Sequence, residues 1–226
     1  MMMQLNENTL KVLQNFASLN PNFIAREENV FNSISAAKTI LGEATVDQTF
    51  PRRFGLYDLG EFLSIISILP DHNLEFHDKY VVISDNTGLN SCKYFYASEE
   101  ILSFTDKTIS IPDEVATCSI NWATIQKLHR AASALGHDKV DFLPNENGFM
   151  LSVVDHNDPT SNSFDVIVPG TCESNDFRFT FQIANFKMME GDYEVKISSK
   201  MISEWKKTTD EIKYTIALDK SSTYGG

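Results

Sequence analysis

FGLYDLGEFLSIISIL occupies residues 54–69. Its first part, FGLYDL, has the aromatic and aliphatic content of a strand, and Asp58 stands where it can cap the helix LGEFLSIISIL. Far along the chain, FQIANFKMM at 181–189 repeats the shape of 54–62: Phe, any residue, an aliphatic, any residue, then Asp or Asn. KYFYA at 93–97 is matched in the same way by KYTIA at 213–217. A helical stretch at 8–19 precedes the first set, and one at 121–134 precedes the second. Matches in one order, displaced by about 115–127 residues, are the mark of an internal duplication. The reading is two copies of one α+β unit, each with a helix, three or four strands, a short helix and three more strands.

Both leading helices are amphipathic. At about 100° per residue, Leu10, Val12, Leu13, Phe16 and Ala17 share one face of the first, and Lys11, Gln14, Asn15 and Ser18 the other. Asn6 or Asn8 can cap its start, and Asn20-Pro21 stops it. In the second, Trp122, Ile125, Leu128, Ala132 and Leu135 form the apolar face, with Lys127 and Arg130 almost opposite, beside Ala123 and Ala134. Asn121 supplies the cap and Gly136 the stop. Neither polar face carries a carboxylate in its central turns; Glu7 lies at the edge, where the first helix starts.

Strand-like runs fill the rest: NFIAR, NVFNSIS, ATVDQTF, NLEFHD, KYVVISD and SCKYFYA, then CSI, KVDFLP, GFMLSVVD, SFDVIVP, FRFTFQI, DYEVKISSK, ISEWKK and EIKYTIAL. Pro70-Asp71-His72-Asn73 is turn chemistry. From Ser98 to Asp113 the pattern loosens into mixed charges, Ser and Thr. The chain is therefore expected to divide into a domain at 1–104, a linker at 105–114 and a domain at 115–226. SFDVIVP ends in a proline that cannot extend a ladder, which suits a sheet edge. Val166 and Val168 are its candidate contacts with a second copy.

Of the 226 residues, 31 are acidic and 19 basic, a net charge of −12. The halves are equal: 8 basic and 14 acidic side chains in 1–110, 11 and 17 in 111–226. Bulk phosphate repels such a chain, so DNA contact requires the few cations to gather on one surface. A hydrophobic fraction of 42% with 16 Phe supplies a packed core and excludes a disordered chain. No apolar run approaches the roughly 20 residues that cross a bilayer, and MMMQLNENTL lacks signal-peptide architecture. Cys92, Cys118 and Cys172 are odd in number and far apart, as free thiols in a reducing compartment would be. The expectation is a soluble intracellular protein with no membrane partner.

No catalytic constellation is present, so the chain is read as not an enzyme. Asp71, His72, Glu75, His77 and Asp78 form the one His/carboxylate cluster, read as a polar hairpin and not a metal site. His129, His137 and His156 have no sequence partners that make a base or ligand set. There is no Gly-rich phosphate loop, no G-x-S-x-G and no CxxC. No cofactor or metal is expected. The positive signal is the pair of acid-poor helix faces, suited to phosphates and carrying no bidentate set that reads bases. Lys11, Gln14, Asn15, Ser18, Lys127 and Arg130, with Lys187 in the ANFKMM turn, are the candidate DNA-facing residues.

FGLYDLGEFLSIISIL, TLKVLQNFASLN, KYFYA and FQIANFKMMEGDYEVKI together resemble the sliding clamps of T-even-type bacteriophages, which are DNA polymerase processivity factors related in fold to proliferating cell nuclear antigen. The resemblance runs in order over essentially the whole chain and departs most at 154–176 and in ISEWKKTTD. It implies two similar clamp domains per chain, antiparallel sheets outside and helices inside, and a closed homotrimeric ring around double-stranded DNA. It also implies a replicative DNA polymerase tethered to the ring, an ATP-dependent clamp loader and phage late transcription factors as partners, in the host cell cytoplasm. Partner tails would enter an apolar pocket for which Ile101, Leu102, Phe104, Ile109, Tyr214 and Ile216 are the candidates. The alternative is a duplicated β-rich virion or interaction protein that does not encircle DNA.

Overall fold

A computed structural model describes residues 2–69, 71–158 and 160–225. The chain separates into two compact units between Lys107 and Thr108. Pro70, part of the expected turn, lies outside the described residues.

The first unit begins with β1 (Met2–Met3) and α1 (Glu7–Leu19). Asn6 caps α1, accepting the Thr9 amide at 2.8 Å, and Val12, Leu13, Phe16 and Leu19 are its buried apolar stripe. Strands β2 (Phe23–Ala25), β3 (Val30–Ile34), β4 (Ile40–Thr45) and β5 (Phe54–Leu56) follow. The ladder at β4 thus forms on ILGEAT and takes in only Ala44 and Thr45 of the run ATVDQTF, whose Val46 and Phe50 are buried outside any strand. Asp58 caps α2 (Leu59–Ile68), accepting the Glu61 amide at 2.9 Å. The unit closes with β6 (Asn73–Phe76), β7 (Tyr80–Ser84) and β8 (Ser91–Phe95), in an antiparallel sheet of order β1-β6-β7-β8. β8 is one edge of that sheet.

The core of this unit is aromatic. Phe23, Phe31, Phe50, Phe54 and Tyr96 contact in sequence, with ring centroids 4.5–5.6 Å apart. Gly42 of β4 lets α1 approach: a Cβ there would lie 2.8 Å from the Phe16 ring.

The second unit opens on β9 (Glu114–Ile120) and α3 (Trp122–Leu135). Asn121 caps α3, accepting the Thr124 amide at 2.9 Å, and Gly136 ends it in the left-handed region at φ 71°. β10 (Lys139–Asn145), β11 (Gly148–Val154), β12 (Phe164–Val168), β13 (Gly170–Cys172) and β14 (Phe177–Gln182) follow. Then come β15 (Tyr193–Ser198), β16 (Ile202–Lys207), β17 (Ile212–Ala217) and β18 (Thr223–Tyr224). One antiparallel sheet runs β12-β11-β10-β14-β18, and another runs β13-β9-β15-β16-β17. Phe142, Phe179, Phe181, Tyr193, Trp205 and Tyr214 are fully buried.

The two units are not equal copies. Among the described residues the second has no counterpart of α2: FQIANFKMM ends β14 and makes only a 3-10 turn at Ile183–Asn185. Phe186 and Met188, two residues apart, are both buried, a spacing that fits extended chain and not a helix. Among the described residues, no helix is long and apolar enough to cross a membrane.

Candidate nucleic-acid interface

The strongest cationic helix face belongs to α3. Its apolar stripe, Ile125, Leu128 and Ala132, is buried, which turns Gln126, Lys127, Arg130 and Ser133 outward. No Asp or Glu occurs anywhere in WATIQKLHRAASAL, in a chain that holds 31 of them. His129, on the flank of the helix, is hydrogen-bonded to the Phe186 carbonyl at 3.0 Å. That contact ties α3 to the segment that carries exposed Lys187.

In the first unit the picture differs. Lys11 and Gln14 are exposed on α1, Asn15 is half-buried, and exposed Ser18 donates its hydroxyl to the Asn15 carbonyl at 2.6 Å. Lys11 is also 2.7 Å from the Glu7 carboxylate one turn earlier. Hydrogen bonding and charge attraction between them raise the Lys11 ammonium and lower the Glu7 carboxyl from their usual values. Glu7 is thus a partner of this face and not merely its margin. α2 packs beside α1, leaving a groove of about 290 Å³ lined by Gln14, Ala17, Gly60, Leu63, Ser64 and Ser67. The helix surface of this unit is small and polar, with Glu61 exposed, and it has no cationic excess.

The residues expected to line a partner pocket separate by environment. Ile101 is 63% exposed, and Leu102, Phe104 and Ile109 are half-buried. Tyr214 and Ile216 have no exposed surface. They alternate with Lys213 and Thr215 on β17 and point into the core of the second unit, where the Tyr214 hydroxyl accepts the Met189 amide at 3.1 Å. Neither is open to a peptide.

Among the described residues β12 is a sheet edge, paired with β11 alone. Val168 is buried and Val166 half-buried, both opposite core residues of β11 (Phe149 and Leu151), so these valines face inward. The outward side chains are Asp165 and Ile167, the latter 60% exposed. The strand's period of two thus turns Val166 and Val168, the expected contact residues, toward their own core and the positions beside them outward.

The His/carboxylate cluster at 71–78 is structural. His72 is buried and accepts the Leu5 amide on Nε2 at 3.1 Å, while Arg52 donates to the His77 carbonyl and to Asp78. Among the described residues no group of three His, Cys, Asp or Glu could hold a metal ion. All three cysteines are free, and burial pushes the Cys118 thiol far up.

Comparison with known proteins gives one consistent answer. The chain is 26% identical over 209 residues to a protein named sliding clamp from Vibrio phage KVP40, covering 90% of this chain and 94% of that one. It is 25% identical to the sliding clamp of Escherichia phage RB69 and 24% identical to that of Enterobacteria phage T4, each over 98% of this chain and 99% of the relative. Over nearly its whole length the chain is thus similar to proteins named sliding clamp from three bacteriophages. No family model matches it. Among solved structures, A. fulgidus PCNA bound to the C-terminal region of FEN-1 superimposes with a TM-score of 0.70 at 12% identity, over 98% of both chains. PCNA of Entamoeba histolytica gives 0.63 at 16% identity over 93% of this chain and 94% of that one. These show that the fold is that of the DNA clamps.

Proposed function

We propose that this chain is a non-enzymatic subunit of a ring that encircles duplex DNA and tethers the replicative polymerase of a bacteriophage. The observation that carries the reading is α3: the longest helix in an acidic chain, free of carboxylates, with Lys127 and Arg130 outward and Lys187 on the segment tied to it. Such a face meets phosphates without reading sequence, and the acidic remainder of the protein keeps the duplex from sticking elsewhere. Retention comes from topology, and a tethered polymerase has a high effective concentration at the primer end. The same resemblance supports an ATP-dependent loader and late transcription factors as further partners, within the host cell.

Ring closure needs a heterologous contact that returns on itself after three copies. β12 in the second unit and β8 in the first are both sheet edges of five residues. Ile65, exposed Ile68, Leu69 and exposed Leu89 line a groove of about 360 Å³ that reaches β8 at Ser91 and Cys92. We assign the subunit contact to β12 of one copy pairing with β8 of the next, Ile167 entering the Ile68–Leu89 groove. An apolar edge left unpaired would be an aggregation hazard, which pairing removes.

The deciding measurement is polymerase product length on primed circular DNA with loader and ATP. Products that lengthen only when the chain, the loader and ATP are all present support the function. Product lengths indifferent to the chain overturn it.

A further inference from the structure

Edge strands can slip past one another, and a slip by one residue turns every side chain to the opposite face. The two edges assigned to the subunit contact carry features that select one register. On β8, Cys92 and Tyr94 stand opposite buried Ile83 and Val81 of β7 and so face the core, while Ser91, Lys93 and Phe95 face out. On β12, Asp165 and Ile167 face out.

Faces must match if β12 is to continue the sheet that β8 ends. In antiparallel pairing, full overlap of these two five-residue strands sets Asp165 opposite Tyr94, an outward side chain against an inward one. The overlap is therefore shifted by one position. One shift puts Asp165 opposite Phe95 and Ile167 opposite Lys93, each a charge against an apolar side chain. The other puts Asp165 opposite Lys93 and Ile167 opposite Ser91, two positions from Leu89. On the core side that second shift sets Phe164 opposite Tyr94 and Val166 opposite Cys92. Parallel pairing with Asp165 at Lys93 would carry Ile167 to Phe95, the end of β8 away from Leu89.

Both charges are held before they meet. The Lys93 Nζ lies 3.8 Å from the centre of the Tyr80 ring and 5.1 Å from that of Phe95. The Asp165 carboxylate accepts the Ser152 hydroxyl. Within the single chain neither charge has an ion-pair partner among the described residues.

We infer that Lys93 of one copy meets Asp165 of the next and fixes the register of the β8–β12 contact. This rests on the contact proposed above and adds the pair that determines its specificity. Opposite charges directly across an antiparallel pair are favourable and like charges unfavourable, so this pair rewards one register and penalises the others.

The test uses the full-length protein and reads native mass against protein concentration. Lys93→Glu and Asp165→Lys should each raise the concentration for half-assembly roughly three- to thirtyfold, and a chain carrying both should recover most of the loss. Lys93→Arg keeps the charge and should assemble like the unaltered protein. Asp165→Asn keeps an acceptor for Ser152, so it should assemble less well at an unchanged melting temperature. Its deficit should shrink as salt is raised, because screening acts on the charge alone. Single variants that assemble normally overturn the pairing, as do single losses with no recovery in the double variant. If either result is found while Ile167→Glu and Leu89→Glu still dissociate the assembly, the β8–β12 contact stands in a different register. An unaltered chain that stays single at every concentration overturns the contact itself, and the pair with it.

Discussion

Glu7 holds Lys11 at 2.7 Å across one turn of α1, whereas Lys127 and Arg130 share α3 with no acidic residue at all. In the proposed ring, the two helices that look alike in sequence would therefore differ as phosphate ligands. A paired ammonium must give up its carboxylate before it can neutralise a phosphate, and an unshared one need not. Reversing Lys127 and Arg130 to Glu together should cut loading and processive synthesis by about tenfold or more at low salt. Lys11→Glu should cost much less. Both variants should fold, since all three side chains are exposed. Equal losses from the two variants, measured as product length on primed circles, would remove α3 from its special place.

Much of this fold is readable in the chain because its signals are local. Asn6, Asp58 and Asn121 cap their helices through bonds to the third residue on, and Gly136 stops α3 through its own φ. What escapes is set by distant partners. Val166 and Ile167 are equally apolar, and only the register against Leu151 and Met150 says which faces out. Tyr214 and Ile216 look like any aromatic–aliphatic strand, and their burial depends on packing in the second unit. The Lys11–Glu7 contact lies at the i, i+4 spacing visible in the sequence. The contacts of Arg26 and Arg53 with Asp106 span up to 80 residues and leave no local trace.

Gly42→Ala should destabilise the first unit by about 1–3 kcal/mol, because a methyl group 2.8 Å from Phe16 overpacks the contact of α1 with β4. Phe16→Leu in the same chain should recover part of the loss by making room. A thermal unfolding series of the three variants checks both steps, and additive losses would deny the contact.

Asp219 gives the second unit a pH dependence of known sign. Partial burial pushes its carboxyl up, but the Ser221 amide and hydroxyl, Gln182 and Lys139 donate to it and together hold it well below its ordinary 3.8. A carboxyl depressed in the folded state stabilises fully above its unfolded value, and the contribution is lost as pH falls below that value. Asp219→Asn should therefore lower the melting temperature at pH 7 and converge on the unaltered protein as pH drops from 3.8. A constant difference across the acid range would mean that the amide fails by shape and not by charge.

The loop before β12 offers a test of assembly separate from the edge itself. His156 lies 2.9–3.0 Å from both oxygens of buried Asp141, which also accepts the Thr180 hydroxyl at 2.7 Å. His137 is hydrogen-bonded at 2.8 Å to the Asn162 carbonyl, two residues before the strand. Removing His156 leaves Asp141 short of a partner, a loss of about 1–3 kcal/mol. His156→Ala should lower the melting temperature of the second unit and weaken assembly at dilute concentration, read by native mass against protein concentration. Assembly unchanged at a lowered melting temperature would show that the loop stabilises its own unit without governing the edge.

The edge prediction follows from side-chain direction. On β12 the outward residue is Ile167, while Val166 and Val168 face the core of their own sheet. A carboxylate at 167 leaves the fold intact, because that side chain is already 60% exposed in the single chain. In the proposed ring it would be driven into the Ile68–Leu89 groove of the next copy, where a buried unpaired charge is strongly unfavourable. Ile167→Glu should thus give a folded species of one chain mass, 25.5 kDa, where the unaltered protein gives three times that. Leu89→Glu, altering the other side of the same contact, should do the same at a site far away in sequence. Val168→Glu should instead lower the melting temperature, since it places a charge in the core. The decisive pairing is Ile167→Glu with Leu89→Lys: opposite charges brought together restore some assembly only if those two positions meet across copies. Two single variants that dissociate, with no recovery in the pair, would leave β12 and β8 as edges that contact something other than each other.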